Sequence, residues 1–266
     1  REANRDYPCC KLVLHFKDVP TNTQQLLCRV ALSYVDYNGA QNNLRCEQPG
    51  WDFDGTRAAA RALWNDELSK IQIKDMADNA DSVRQIFYTA LYHAQLEPML
   101  FSDVDGRYLG MDLKVHQGLQ EDPMYTVFSL WDTYRNVHQM MTLLFPDRQM
   151  DMIDTFINMY KEWGWLPKWE LFGRETMTME GDPALPVIVD TWMKGFRDFD
   201  VETAYEAMVK SATTPGKDNP VRPDIDEYLK RGYCPMESQY DNSVSHALEY
   251  YVADYALSTF ARALGK

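Results

Sequence analysis

The sequence predicts a mainly α-helical protein in which successive helix hairpins form part of a ring, entered through two short strands. Three observations carry that expectation. From Ala40 onward, apolar residues recur at three- and four-residue steps, the spacing of a helix face. The helices so defined are linked alternately by very tight turns and by long, residue-rich connections. No tetratricopeptide- or HEAT-length period repeats, which removes a solenoid and leaves a ring.

The opening residues read differently. Lys11 to Phe16 and Leu26 to Val35 have strand composition with a partial period of two, joined by a turn containing Pro20, Thr21, Asn22 and Thr23. Two strands make no stable sheet alone in water, so they are expected either to pack on the following helices or to end a domain begun elsewhere. Asp54 is the expected N-cap of a helix over Gly55–Ile73, and Asp81 precedes a second helix with Val83, Ile86, Phe87, Ala90 and Leu91 on one face. Glu97 to Pro123, with Pro98, Gly106, Gly110 and Gly118, reads as a long ordered functional loop.

Two hairpins follow. Tyr125–Leu144 and Asp147–Trp163 are separated only by Phe145-Pro146, and Pro183–Phe196 is followed by Asp200–Ala212. Asp182-Pro183 has the form of a cap and a proline start, and Asp200 of a cap for the partner helix. A short helix is expected near Asp224–Lys230. The last helix runs Asn242–Leu264 with a stripe of Val244, Ala247, Leu248, Tyr251, Val252, Tyr255 and Phe260, and Gly265 ends it. Six long helices after Asp81 make three hairpins, half of a closed ring of six, so the chain is expected to be part of a larger enzyme domain.

Composition narrows the function. The 266 residues hold 40 Asp+Glu against 27 Lys+Arg, a formal charge of −13, which argues against nucleic acid and favours a neutral ligand or a cation. No apolar run is long enough for a membrane span, and the chain opens Arg1-Glu2-Ala3-Asn4 with neither an initiator Met nor a signal peptide. Five cysteines (Cys9, Cys10, Cys28, Cys46 and Cys234) lack zinc spacing and leave a disulfide among the first four open. Ser102-Asp103-Val104-Asp105-Gly106 looks like a calcium loop but lacks its closing Glu, the twelfth position being Lys114, so a turn with Asx hydrogen bonds is expected. No His pair stands at i,i+4, and no Gly-x-Ser-x-Gly or phosphate-binding glycine loop occurs.

Two clusters carry candidate chemistry. Trp131-Asp132-Thr133-Tyr134-Arg135 sets an aromatic face, a carboxylate and a guanidinium within five residues, suited to a polyol and equally to a core Trp beside a surface ion pair. Gly164-Trp165-Leu166-Pro167-Lys168-Trp169-Glu170, running on through Gly173-Arg174-Glu175-Thr176 and Met179 to Gly181-Asp182-Pro183, links two hairpins where a ring would have its rim. Its indoles offer flat faces for sugar C–H groups, and Glu170, Glu175 and Glu180 offer carboxylates for hydroxyls or proton transfer. Trp163 is expected in the core.

These stretches, together with Phe87-Tyr88-Thr89-Ala90-Leu91-Tyr92-His93, Ser102 to Tyr108 and Leu248-Glu249-Tyr250-Tyr251 with Ala253-Asp254, resemble in order the catalytic domain of glycoside hydrolase family 92. Upstream, Ser33-Tyr34-Val35 and Glu47 to Asp54 look like that family's passage from an N-terminal β-sandwich into a helical linker. The resemblance covers nearly the whole chain. It implies a calcium-dependent, inverting exo-α-mannosidase, mostly bacterial and exported, acting on terminal mannose of glycans, with a β-sandwich followed by an (α/α)6 barrel. It divides the chain into a sandwich remnant (1–48), a helical linker (49–80) and the first half of the barrel (81–266). Trp131, Asp132, Arg135, Trp169 and Glu175 would then be substrate-binding. The family's acid motif (Glu-Gly-Asn-Ala type) and base motif (Asn-Asp-Asp-x-Gly type) are absent, so both catalytic carboxyls and the calcium ligands are expected beyond Lys266. No metal ligand is assigned within the chain. The chain alone is expected to be inactive and to need the missing half of the barrel. Two rivals remain: another (α/α)6 glycosidase of trehalase or glucosidase type, and a non-catalytic helical protein binding sugar through Trp169 and Asp132.

Overall fold

A computed structural model describes residues 13–16, 26–74, 80–119, 122–237 and 242–266. The chain is mainly helical. α1 (Tyr37–Glu47) and α2 (Phe53–Leu68) are capped by Asp36 and Asp52, whose side chains accept from Gly39 and Gly55 main-chain N–H groups. α3 spans Ala80–His93. The second helix thus begins before the expected Gly55, because Asp52 rather than Asp54 reaches the free amide, and it ends at Leu68 instead of Ile73.

The expected opening strands do not form a ladder. Residues 13–16 and 26–33 have no regular structure, and Lys11 and Leu12 lie outside the described residues. Val13, Phe16, Leu26, Val30 and Leu32 are exposed, so no packed face holds these segments in a sheet. α1 lies inside the stretch 1–48 that the sequence reading gave to a sandwich remnant. Cys28, Cys46 and Cys234 are free thiols.

Glu97 to Pro123 is ordered wherever it is described. β1 (Met99–Leu100) pairs with β4 (Tyr125–Thr126), and β2 (Arg107–Leu109) forms an antiparallel hairpin with β3 (Val115–Gln117). Asp103 to Gly106 is a turn, with Arg107 N–H donating to Asp105 Oδ1 at 3.2 Å, as the Asx reading expected. The Asp103 carboxylate is buried and accepts from Ser33 Oγ and Asn43 Nδ2, which ties α1 to this hairpin.

The helix expected over Tyr125–Leu144 is broken into β4, β5 (Phe128–Ser129), α4 (Leu130–Thr133) and α5 (Val137–Leu144). Val127 adopts φ +66°, which no helix tolerates, and β5 is drawn into a sheet with β6 (Trp169–Leu171) and β7 (Arg174–Glu175). Non-local strand pairing outweighs the local helical spacing here. α6 (Pro146–Trp163) takes in Pro146 of the expected turn as its first residue, one before the expected Asp147, and ends on left-handed Gly164. α7 (Ala184–Met193) and α8 (Val201–Thr213) form the next hairpin, with Asp200 capping α8 as expected. α9 (Ile225–Arg231) and α10 (Ser243–Leu264) complete the chain, and Gly265 ends α10 with φ +74°.

α7 packs against α5, α6 and α10, while α8 packs against α6 and α10. Seven of the ten α7 residues are buried, so this helix is the centre of the core. Phe128 and Phe156 meet edge to face at 4.9 Å, and Trp192 meets Phe260 at 5.3 Å. Trp163 packs against this core, as expected. Of the expected stripe, α10 buries Ala247 and Phe260 and leaves the rest unburied. His246, Ala247, Tyr250, Ala253, Ala256 and Phe260 face inward, whereas Val244, Leu248, Tyr251, Val252 and Tyr255 are not buried. Ala253, Ala256 and Phe260 join the core shared with α7 and α8, while Ala247 and Tyr250 pack with Tyr228 and Cys234.

Candidate functional site

Strand pairing joins the two clusters that the sequence singled out. Ser129 pairs with Trp169, and Leu130 N–H donates to the Lys168 carbonyl at 3.3 Å, so α4 starts directly on the connector between α6 and α7. Glu175 then fixes the connector's shape. Its oxygens accept from the main-chain N–H groups of Lys168 (2.8 Å), Trp169 (2.8 Å) and Met177 (2.9 Å). Glu175 therefore organises the loop with its carboxylate, while the half-buried Trp169 is held beside α4.

Glu170 has a different role. It is fully buried, accepting from Thr126 Oγ1 at 2.9 Å and from Gly173 N–H at 2.5 Å. Burial raises its carboxyl pKa to about 7. With these partners Glu170 braces the β6–β7 turn from inside the sheet.

Lys168 is 3 % exposed, and burial lowers the pKa of its ammonium against the pull of Asp182, Glu175, Glu180 and Asp224. It lines a cavity of about 290 Å³ together with Met177, Met179, Glu180, Asn242 and His246. Asn242 Nδ2 donates to Glu180 Oε1 at 2.7 Å, holding the connector against the start of α10. Burial lowers the pKa of His246 against the opposing pull of Asp224, keeping the imidazole closer to its neutral form.

Behind the cavity lies a buried ion-pair chain. Arg222, fully buried, donates from Nε to Asp182 at 2.9 Å and from Nη1 to Asp254 at 2.6 Å. Ser211 Oγ also donates to Asp182, and Tyr228 OH to Asp254 at 2.7 Å. The aspartate expected to cap α7 is thus spent on Arg222 and Ser211, and Pro183 occupies the cap position without a side-chain hydrogen bond. Such a pair tolerates burial only because its partners are hydrogen-bonded.

On the other side of Glu180, Glu249 of α10 meets the α4 motif. It accepts from Tyr134 OH at 2.8 Å and forms an ion pair with Arg135 at 2.7 Å. The Arg135 guanidinium lies 4.8 Å from the Trp131 ring centroid. Trp131 is half-buried and Asp132 is exposed at the N-terminal turn of α4. A circuit results: Trp131 and Arg135 connect through Glu249 to Gly181 and its neighbour Glu180, then across the cavity to Lys168, and through the Lys168 carbonyl back to α4.

Carboxylate, amide and ammonium groups beside thioethers and indoles suit a neutral, polyhydroxylated ring, whose hydroxyls both donate and accept. Among the described residues no group of three or more His, Cys, Asp and Glu is placed to hold a metal ion. No helix in the described residues is long and apolar enough to cross a membrane. Of the sequence-predicted site residues, Trp131, Arg135, Trp169 and Glu175 are all tied into this circuit, and Asp132 stands free at its edge. Lys168, Asn242, His246 and Glu249 were not singled out as site residues. Lys168 stood between two indoles and Glu249 inside Leu-Glu-Tyr, whereas nothing in the spacing of Asn242 and His246 marks them.

Residues 39–266 match the model of the Glycosyl hydrolase family 92 catalytic domain. Among solved structures, a family GH92 α-mannosidase from Bacteroides thetaiotaomicron is 36% identical with TM-score 0.79, covering 88% of this chain and 30% of its own, and its complex with mannoimidazole matches equally. An inverting mannosidase of the same family from B. thetaiotaomicron VPI-5482 is 31% identical with TM-score 0.79, covering 88% of this chain and 32% of its own. The chain thus spans about a third of the length of these relatives. No curated protein matches it.

Proposed function

Because the chain belongs to glycoside hydrolase family 92, we propose that it supplies the sugar-binding part of an exo-α-mannosidase that hydrolyses terminal α-mannosidic bonds of glycans. The observation that carries this reading is that motifs more than a hundred residues apart meet: Glu249 holds Tyr134 and Arg135 and rests against Gly181, the end of a connector whose start pairs with Ser129 and whose Lys168, Met177, Met179 and Glu180 line a cavity. In this reading Trp131 and Trp169 present apolar faces to the pyranose, Asp132 and Glu180 accept from its hydroxyls, and Lys168 donates to them. The mannoimidazole complex of the 36%-identical relative supports mannose as the sugar.

Inverting hydrolysis needs two carboxyls about 6.5–9.5 Å apart, one to protonate the leaving oxygen and one to activate water. Glu170 and Glu175 are engaged in shaping the connector, so we assign both roles to residues outside these 266. The calcium expected from the family has no ligand cluster among the described residues.

Titration with mannoimidazole tests the reading. The chain is expected to bind it, to bind glucoimidazole more weakly, and to lose about tenfold in affinity on Asp132→Ala. It is expected to release no mannose from α-linked mannobiose, with or without calcium. Equal binding of the two imidazoles, or of neither, would contradict a mannose site. Calcium-dependent release of mannose would place the acid and base within the chain.

A further inference from the structure

Glu249 stands between two regions that the sequence keeps far apart. Its side chain is 13% exposed, and its two oxygens are divided between Tyr134 OH (2.8 Å) and Arg135 Nη2 (2.7 Å). The Arg135 guanidinium that it holds lies over both Trp131 and Tyr134, 4.8 Å from each ring centroid. On its other flank Glu249 rests against Gly181, where an added Cβ would come within 2.6 Å of Glu249 Cβ, and Gly181 itself has φ +85°. Gly181 is thus fixed as glycine twice over, by its left-handed backbone and by the passage of Glu249. Trp131 carries an indole Nε1 that is buried without a protein partner, so the ring's place depends on packing and on the guanidinium above it.

Resting on the mannoside-site reading above, we propose that Glu249 is a positioning residue. By clamping Arg135 and Tyr134 to α10, it sets the orientation of the Trp131 ring and of Asp132 one residue on. An ion pair exposed in water contributes little. This one is shielded on the carboxylate side, doubled by the tyrosine hydroxyl, and spans 114 residues of sequence, so its loss frees α4 from α10.

A double-mutant cycle on the chain tests the claim. Glu249→Ala and Arg135→Ala are each expected to weaken mannoimidazole binding about tenfold, and the double variant no further than either alone, because both break one clamp. Glu249→Gln keeps shape and an acceptor oxygen and is expected to recover most of the affinity, with the helical circular dichroism of the wild type. Independent, additive losses would overturn the proposal, as would wild-type affinity in Glu249→Ala. A second reading needs no ligand: the Trp131 indole N–H resonance, assigned by its absence in Trp131→Phe, should move in Glu249→Ala and return toward its place in Glu249→Gln. If wild-type chain fails to bind mannoimidazole, the mannoside reading falls while this resonance alone decides the clamp, and an unmoved signal refutes it.

Discussion

α2 and α7 are both helices, but they are held in different ways. None of the 16 residues of α2 is buried, and its Leu63 is 70% exposed. α7 buries seven of its ten and touches three other helices. α2 is fastened by its Asp52 cap, by the Trp64–Tyr92 ring contact at 4.5 Å with α3, and by Glu67 reaching Arg148. The contrast teaches where this chain's stability and its chemistry sit. Apolar burial at about 25 cal/mol per Å² stabilises α5 to α10, and the candidate site is built on these elements, on α4 and on the connector between α6 and α7. The entry helices depend on caps and a few polar ties, each worth about 1 kcal/mol or less.

Substitutions of equal severity should therefore give unequal results. Phe156→Ala in the core is expected to cost about 3–5 kcal/mol, and Leu63→Ala on α2 to stay within about 0.5 kcal/mol, both read from urea unfolding. A large loss at Leu63 would mean that α2 is packed in solution in a way the structure does not show.

The second effect depends on pH. Glu170 has its pKa raised to about 7 from 4.5 by burial, so the folded state holds its proton more tightly than the unfolded chain. The stabilising contribution of that proton is complete below pH ~4.5 and is lost as pH rises toward 7. Glu170→Gln, which mimics the protonated acid, should match wild type near pH 5 and exceed it at pH 8, by at most about 3 kcal/mol. A difference that does not change with pH would remove the buried carboxyl from the account.

A smaller, local effect belongs to the cap of α2. Asp52→Ala should cost about 1 kcal/mol of local stability, visible as faster amide exchange confined to α2 and leaving α6 and α7 protected.

The same contrast explains what the sequence disclosed. Helices with a local stop or start were legible: Pro146 and Gly164 bound α6, Asp200 caps α8, and Gly265 ends α10. Where distant partners decide, local pattern misled. Residues 125–129 carry helical spacing yet pair with β1 and β6, and α10 turns Tyr250 and Phe260 inward with its alanines while Val244, Leu248, Tyr251, Val252 and Tyr255 stay unburied. In the candidate site, composition drew attention to Trp131, Asp132 and Trp169 while leaving a core Trp beside a surface ion pair equally open. Glu175 stood out in the sequence as a candidate carboxylate, but its hold on three main-chain amides did not. The clamp of Glu249 on Arg135 was hidden because no spacing rule relates residues 114 apart.

If the Trp131–Arg135 motif and the Lys168–Gly181 connector form one mannose site, the chain's own indoles can report on it. A two-dimensional spectrum of the seven tryptophan indole N–H groups, recorded during titration with mannoimidazole, is the most direct test. The account predicts that Trp131 and Trp169 shift together with one dissociation constant, while Trp51 and Trp64 on the entry segment stay in place. Saturating ligand that leaves both site indoles unmoved, or that shifts them with different dissociation constants, would contradict it.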